Sequence, residues 1–486
     1  MKRITSKLSC GNRAYTVALC AATVISLPAQ TFTTLVSFDG TDGANPVAAL
    51  VQATNGDLYG TTSYGGANNQ GTVFKITPSG ALTVLYSLCS QMYCTDGARP
   101  DADLVQATNG DLYGTTYSGV NGYGTIFKIT LGGALTTLYT FCAQPGCADG
   151  ENPTAGLVQA TNGDFYGTTY GGGAYGSYGT VFKITPSGKL TTLYSFCGNG
   201  GECADGAYPY AGLVQATNGN LYGTTLYGGA HNQNGGTVFK ITPSGTLTTI
   251  YSFCPKPDCP DGDVPVAGLV QASNGDFYGT TRDGGTEGEG TVFKITPTGT
   301  LTTLYSFCPN GGECTDGADP NAGLVQATDG DFYGTTTDGG AYGDGTIFKI
   351  TPTGAVTALH SFDGTDGKFP YAGLVQDTNG KFYGTTQYGG TSSACGGCGT
   401  VFSLSVGLAP FVETLPTSGK VGAAVKILGS DLTGATSVTF NGAAAAFTVV
   451  SRTLITTTVP AGATSGKIQV VTPSRTLSSN VPFRVP

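Results

Sequence analysis

Apolar residues along this chain come in short runs rich in Tyr, Phe, Thr and Val, and Gly, Pro or Asn cuts off each run after five to seven residues. That pattern predicts strands joined by tight turns. The runs recur as a unit. "LVQATNGDLYGTT" begins at Leu50 and returns at Leu104, Leu157, Leu213, Leu269, Leu324 and Leu374, 50 to 56 residues apart. In full, the unit reads "DGxxPxAGLVQATNGDLYGTT", a Gly-rich variable stretch, "GTVFKITPSG" and "LTTLYSF", and it predicts four β segments. The interval is that of propeller blades and exceeds that of the common helical solenoids.

Turn residues set the connections. Asn-Gly stands between the first two segments, as at Asn55-Gly56 and Asn274-Gly275, with Asp329-Gly330 as the variant. A two-residue Asn-Gly loop predicts a type I′ hairpin. "TPSG" or "TPTG" stands between the third and fourth segments, with Pro setting φ and Gly accepting the left-handed position. A four-stranded meander that is largely apolar on both faces has to be covered on both, and a ring of like sheets does this. The seventh unit stops after its third segment, "GTVFSLSV", while "TFTTLVSF" from Thr31 matches "LTTLYSF" and precedes the first unit. The expected fold is therefore all-β: a seven-bladed β-propeller over 31–406, closed by the N-terminal strand as the outermost strand of blade seven.

The motifs "LVQATNGDLYGTT" and "GTVFKITPSGTLTTLYSF" resemble the tandem unit of the choice-of-anchor GloVer-repeat proteins, and "YGTTxxGG" resembles kelch-type blades without their Trp. The resemblance implies an exported repeat protein and no defined activity. After Leu408 the unit ends, and short alternating runs predict a small immunoglobulin-like β-sandwich over 407–486. Through "PTSGKVGAAVKILGSDL", "SVTFNG" and "TTTVPAGATSGKIQV" it is similar to IPT/TIG domains, which implies a spacer or adhesion module.

Composition narrows the function. Charged residues are 11% of the chain, Trp is absent and the net charge is −9, which leaves no basic patch for phosphates, so nucleic acid is not an expected partner. The Lys of each "FKIT" run, such as Lys75 or Lys294, reads as a side chain snorkelling from a strand edge. Lys2, Arg3, Lys7 and Arg13 precede an uncharged stretch from Ala14 to Leu27, the pattern of a secretory signal peptide over 1–30. The expectation is a secreted or cell-surface monomer without a transmembrane anchor.

Ten cysteines form close pairs just before an Asp-Gly: Cys89/Cys94, Cys142/Cys147, Cys197/Cys203, Cys254/Cys259 and Cys308/Cys314. In an exported chain these read as disulfides clipping a loop, with zinc the weaker reading. Cys395/Cys398, in "CGGC", reads as a sixth staple in preference to a redox motif. No metal or cofactor is expected.

In an up-and-down blade the loops between strands two and three and between successive blades share one face. There the sequence varies, and Tyr64, Tyr117, Tyr123, Tyr170, Tyr175, Tyr178, Tyr227, Tyr342 and Tyr388 stand among Gly and Asn. Such rings suit sugar faces or peptide surfaces, or else pack within inert loops. Asp283, Glu287, Glu289, Asp338 and Asp344 concentrate acids on blades five and six, as solvated loops, a cation site or a glycosidase pair. The seven Asp-Gly steps, Asp42 and Asp366 among them, read as turns. His231 and His360 lack triad partners in recognisable context. The expected function is non-enzymatic binding of glycan or protein by the variable face; a carbohydrate-active hydrolase and a structural envelope protein are the alternatives.

Overall fold

The computed structural model describes residues 30–198, 203–230, 235–309 and 311–486. The leader expected over 1–30 lies, apart from Gln30, outside the described residues, as does His231.

Every regular element of length is a strand, and the strands form nine four-stranded sheets. Seven come from the repeat. The first is Val51–Gln52, Leu58–Thr62, Thr72–Ile76 and Leu82–Ser87, paired antiparallel in chain order. Sheets two to six repeat this arrangement from Val105, Val158, Val214, Val270 and Val325. Sheet seven takes Val375–Gln376, Phe382–Thr386 and Thr400–Ser405 from the last unit, and its fourth strand is Thr31–Ser37, with Phe32 opposite Leu404 and Ser37 opposite Thr400.

Two details differ from the sequence reading. The first strand of each unit is two residues long, not five to seven. Upstream of it the "PxAG" segment bonds sideways to the preceding sheet instead of extending the ladder: Thr61 Oγ1 donates to Ala102 O, and Thr224 Oγ1 to Ala267 O. The Asn-Gly turn is not type I′. Gly56 N donates to Ala53 O, Ala53 N to Asp57 O, and only Gly56, not Asn55, has positive φ, at 86°. That is a type I turn followed by a left-handed Gly bulge, the three-residue hairpin loop. Besides strands, three single 3-10 turns occur among the described residues, at Met92–Cys94, Val120–Gly122 and Pro145–Cys147, although no helix was expected.

The core lies between sheets. Tyr113 stacks on Phe165 of the next sheet at 4.2 Å, and Tyr222 on Phe277 and Tyr333 on Phe382 at the same spacing. Tyr383 and Val401 of sheet seven share a cluster with Leu58 and Phe74 of sheet one. Gly60 has to be Gly for this packing, since a Cβ there would stand 2.6 Å from both Leu50 and Phe74. Lys75, Lys183 and Lys349 do more than snorkel, each pairing with the Asp after the Asn-Gly or Asp-Gly turn, at 3.5, 3.8 and 2.9 Å.

Two hydrogen-bond circuits run from sheet to sheet. Each Gln of "LVQ" accepts from the backbone N–H that follows the Ala of the preceding unit: Thr54 to Gln106, Thr108 to Gln159, Thr161 to Gln215, Thr217 to Gln271, Ser273 to Gln326 and Thr328 to Gln376. From the last unit, Thr378 N donates to Gln52. The Thr-to-Ala circuit likewise ends with Thr385 Oγ1 donating to Ala48 O.

The C-terminal residues form two further sheets, one holding Val412–Leu415, Ala424–Gly429, Leu454–Thr458 and Phe447–Ser451, the other Ala443–Ala444, Ser437–Phe440, Ile468–Val471 and Thr476–Ser478. Alternate residues such as Val425, Ile427, Val438, Phe440, Ile455 and Ile468 meet between them as one core. This sandwich rests on the Asn-Gly turns: Thr453 Oγ1 donates to Thr54 O, Lys426 Nζ to Thr108 O and Phe411 N to Thr378 O.

Candidate functional site

The face opposite the sandwich carries the variable loops. Their stems are built alike in the first five units. All six cysteine pairs are disulfides, Cys89–Cys94, Cys142–Cys147, Cys197–Cys203, Cys254–Cys259, Cys308–Cys314 and Cys395–Cys398. The Asp of the Asp-Gly step does more than turn the chain, because its carboxylate anchors the fourth strand. Tyr139 OH donates to Asp149, Tyr194 to Asp205, Tyr251 to Asp261 and Tyr305 to Asp316, all within 2.8 Å, and in unit six His360 Nε2 meets Asp366 at 2.7 Å. His360 in turn stacks on Phe32 of the N-terminal strand, ring centres 3.8 Å apart. Cys142, Cys147 and Glu151, and Cys254, Cys259 and Asp263, bring metal-ligand atoms together, but in both groups the sulfurs are bonded to each other and are not thiolates.

Where the seven "PxAG" segments converge they enclose a cavity of about 340 Å³. In each unit x, G and the V of "LVQ" follow one another at every second residue, and the x and G layers line it. The outermost layer is different in nearly every unit: Val47, Asp101, Thr154, Tyr210, Val266, Asn321 and Tyr371. The next is Gly in five units, at 156, 212, 268, 323 and 373, Ala49 in the first and Asp103 in the second. The third is Val throughout.

Charge at the mouth is unevenly held. Arg99 donates from Nη2 to Asp101 Oδ2 at 3.2 Å and lies over the Tyr117 ring at 4.7 Å. Burial raises the Asp101 carboxyl above its usual pKa, although Ser63 and Arg99 both favour the charged form. Burial raises Asp103 too, with the Ala49 N–H opposing it. The Tyr210 phenol is pushed far up by burial and by its hydrogen-bond partner Tyr371. Asn321 donates from Nδ2 to Thr337 and Asp319 O, leaving its Oδ1 buried without a partner.

The sequence candidates separate into three fates. Tyr170 and Tyr227 join Tyr208 and Tyr210 in one cluster with Leu226, Val264 and Val266, beside the mouth, and Tyr178 packs on Tyr208. Tyr117 lies under Arg99. Tyr123 turns inward and packs between sheets, so it is a structural side chain. Tyr175 and Tyr342 stay out in the loops, 58% and 68% exposed.

Among the acids, Asp283 is held by Arg282 at 2.7 Å and Asp344 pairs with Lys368 at 3.4 Å. Glu287 stands in its loop near Gly311. Glu289 and Asp338 line a second cavity of about 430 Å³, together with Glu313. Beside it lies an acid that sequence reading passed over, Asp319, whose carboxyl is pushed up to about 7 by burial first and then by the charges of Asp338, Asp283 and Glu289. Asp101, Asp103, Tyr208, Tyr210 and Tyr371 were also passed over. Asp103 alone departs from "PxAG"; the others occupy variable positions of "DGxxPxAG", which look like linker until the segments are seen to line one cavity.

Comparison with known proteins bears on the whole chain. The model of the Gloeobacter/Verrucomicrobia repeat matches residues 23–104, 90–272 and 256–446, and that of the IPT/TIG domain matches 411–485. No curated protein matches. Among solved structures, a fungal alcohol oxidase in complex with copper is 12% identical with a TM-score of 0.50, over 91% of this chain and 98% of its own. A putative gluconolactonase is 12% identical with a TM-score of 0.38, over 79% of this chain and 94% of its own. Likeness at such identity concerns the fold alone.

Proposed function

We propose, for a chain that belongs to the Gloeobacter/Verrucomicrobia repeat family and ends in an IPT/TIG domain, that it is an exported binding protein without catalytic turnover. Its seven sheets form a closed seven-bladed propeller over 31–406, the ligand seats at the axial mouth of the loop face, and the sandwich over 407–486 holds the opposite face. The bonds Thr378 to Gln52 and Thr385 to Ala48, with the pairing of Thr31–Ser37 onto Thr400–Ser405, support closure. Six disulfides support an oxidising compartment. Among the described residues no helix is long and apolar enough to cross a membrane.

One observation carries the binding reading. Repetition is kept wherever packing needs it and given up in the outermost axial layer, where Asp101, Thr154, Tyr210, Asn321 and Tyr371 replace one another around a cavity. A purely structural ring gains nothing from that variety. A few polar groups converging among rings are what a ligand pocket requires. A hydrolase using Asp283 has less support, because that carboxylate is spent on Arg282.

The full chain, offered glycan arrays, cell-wall fragments and envelope proteins, is expected to retain a ligand without consuming it and to lose it in Tyr210→Ala and Tyr371→Ala. Released products would favour the hydrolase. Retention of nothing would leave a structural role.

A further inference from the structure

The axial cavity is rich in hydrogen-bond acceptors and short of cations. Asp103 is the single charged residue of its layer. Its carboxylate takes the N–H of Ala49 and, among the described residues, has no Lys, Arg or His partner. Asp101, two residues earlier on the same side of the strand, shares its charge with Arg99. Tyr210 and Tyr371, in the outermost layer, add ring faces. A carboxylate opening into a cavity that Tyr rings also line favours a cation that can also donate hydrogen bonds. Neutral sugars satisfy the acceptors but leave the charge of Asp103 uncompensated.

Nothing in the packing calls for Asp103. Five units place Gly there, and in the third the Cβ of a substitute for Gly156 would already crowd the Asp103 carbonyl at 2.8 Å. The layer is therefore narrow, and the second unit puts a carboxylate into it.

Resting on the binding reading above, we propose that the axial cavity takes an organic cation, the alkylammonium or guanidinium end of a slender ligand, which enters from the loop face and meets Asp103, with Tyr210 and Tyr371 flanking the stem. Such an end is presented by a Lys or Arg side chain of a partner protein or by a free polyamine.

Calorimetric titration of the full chain with 1,4-diaminobutane, agmatine, a short Lys- and Arg-bearing peptide and, as the neutral control, maltose tests this. At least one cation is expected to saturate, with affinity falling tenfold or more in Asp103→Asn, which keeps the shape, and in Asp103→Gly, which restores what five other units carry and so is expected to fold, checked by its melting temperature. Stronger binding of the free diamine than of the peptide would identify the polyamine as the source; the reverse would identify a protein side chain. No saturation by any cation, or equal binding by both variants, overturns the proposal. Saturation by maltose or retention of another ligand at Tyr210 without cation binding overturns it while the binding reading stands; if nothing is retained at the loop face, both fall.

Discussion

The backbone N–H of Thr378 donates to Oε1 of Gln52 over 3.0 Å, so the last unit of the repeat is fastened to the first by the same bond that joins every other neighbouring pair. In return, Gln52 Nε2 donates to Thr378 Oγ1 at 3.1 Å, and both side chains are buried. Replacing Gln52 by Ala strands a buried donor, which costs about 1–3 kcal/mol. Denaturant unfolding of Gln52→Ala should show that loss and should match Gln106→Ala at an internal joint, where the same two bonds to Thr54 are also buried. A closing joint that costs nothing would mean that the ends fray independently and that the ring is open.

Tyr251 donates to Asp261 at 2.7 Å, and the other oxygen of that buried carboxylate has no partner. Tyr251→Phe removes the strongest hydrogen bond the carboxylate has, and the expected loss is again about 1–3 kcal/mol. Burial, reinforced by Asp261, raises the Tyr251 phenol, and the same holds for Tyr139, Tyr194 and Tyr305. For an acid whose folded pKa is raised, stability is present below the unfolded value and is lost as pH climbs through the window between the two. Ultraviolet titration should therefore show these phenols ionising together with alkaline unfolding. Smooth ionisation near pH 10 in a chain that stays folded would refute the latch.

Glu413 lies where the sandwich meets unit seven. Burial pushes its carboxyl up to about 7, the charge of Asp377 adds to this, and the amide of Asn480 opposes it. Asp377 is itself pushed up to about 6 by burial, against the N–H of Asn379 and the charge of Lys381. In the unfolded chain both titrate near pH 4. Across the interval from there to about 7 the unfolded state binds fewer protons, so stability at this junction falls as pH rises and then levels off. Melting of the sandwich should drop between pH 5 and 7.5 in the native chain and drop less in Glu413→Gln. Equal slopes would show that the pair is solvated.

The disulfides close very short loops, five residues apart in sequence for Cys254–Cys259. Chain entropy then gives each only about 2 kcal/mol. Reduction should lower the melting temperature and increase proteolytic cutting in the loops, while the far-ultraviolet signature of the sheets persists. Loss of that signature on reduction would show that the staples, not the packing between sheets, hold the repeat.

Much of this was legible in the residues themselves. The period of "LVQATNGDLYGTT", the Gly at each turn and the match between "TFTTLVSF" and "LTTLYSF" depend on local chemistry: strand propensity, left-handed φ, and a face that has to be covered. The same locality accounts for the cysteine pairs. The type of the Asn-Gly turn was read wrongly, because the Gly after Asn can end a type I turn as well as complete a type I′ one, and the register of Ala53 against Asp57 chooses between them.

Sequence alone determined the all-β character, the family unit and the stapled loops, since each rests on residues close together in the chain. Only the tertiary structure decided that Tyr123 packs against the core while Tyr210 stands at a cavity, that Asp283 is spent on Arg282, and that Asp103 is the one charged residue in a layer of small ones. Those outcomes depend on seven segments, each some fifty residues from the next, lining one cavity, and no window of sequence short enough to read for period contains more than one of them.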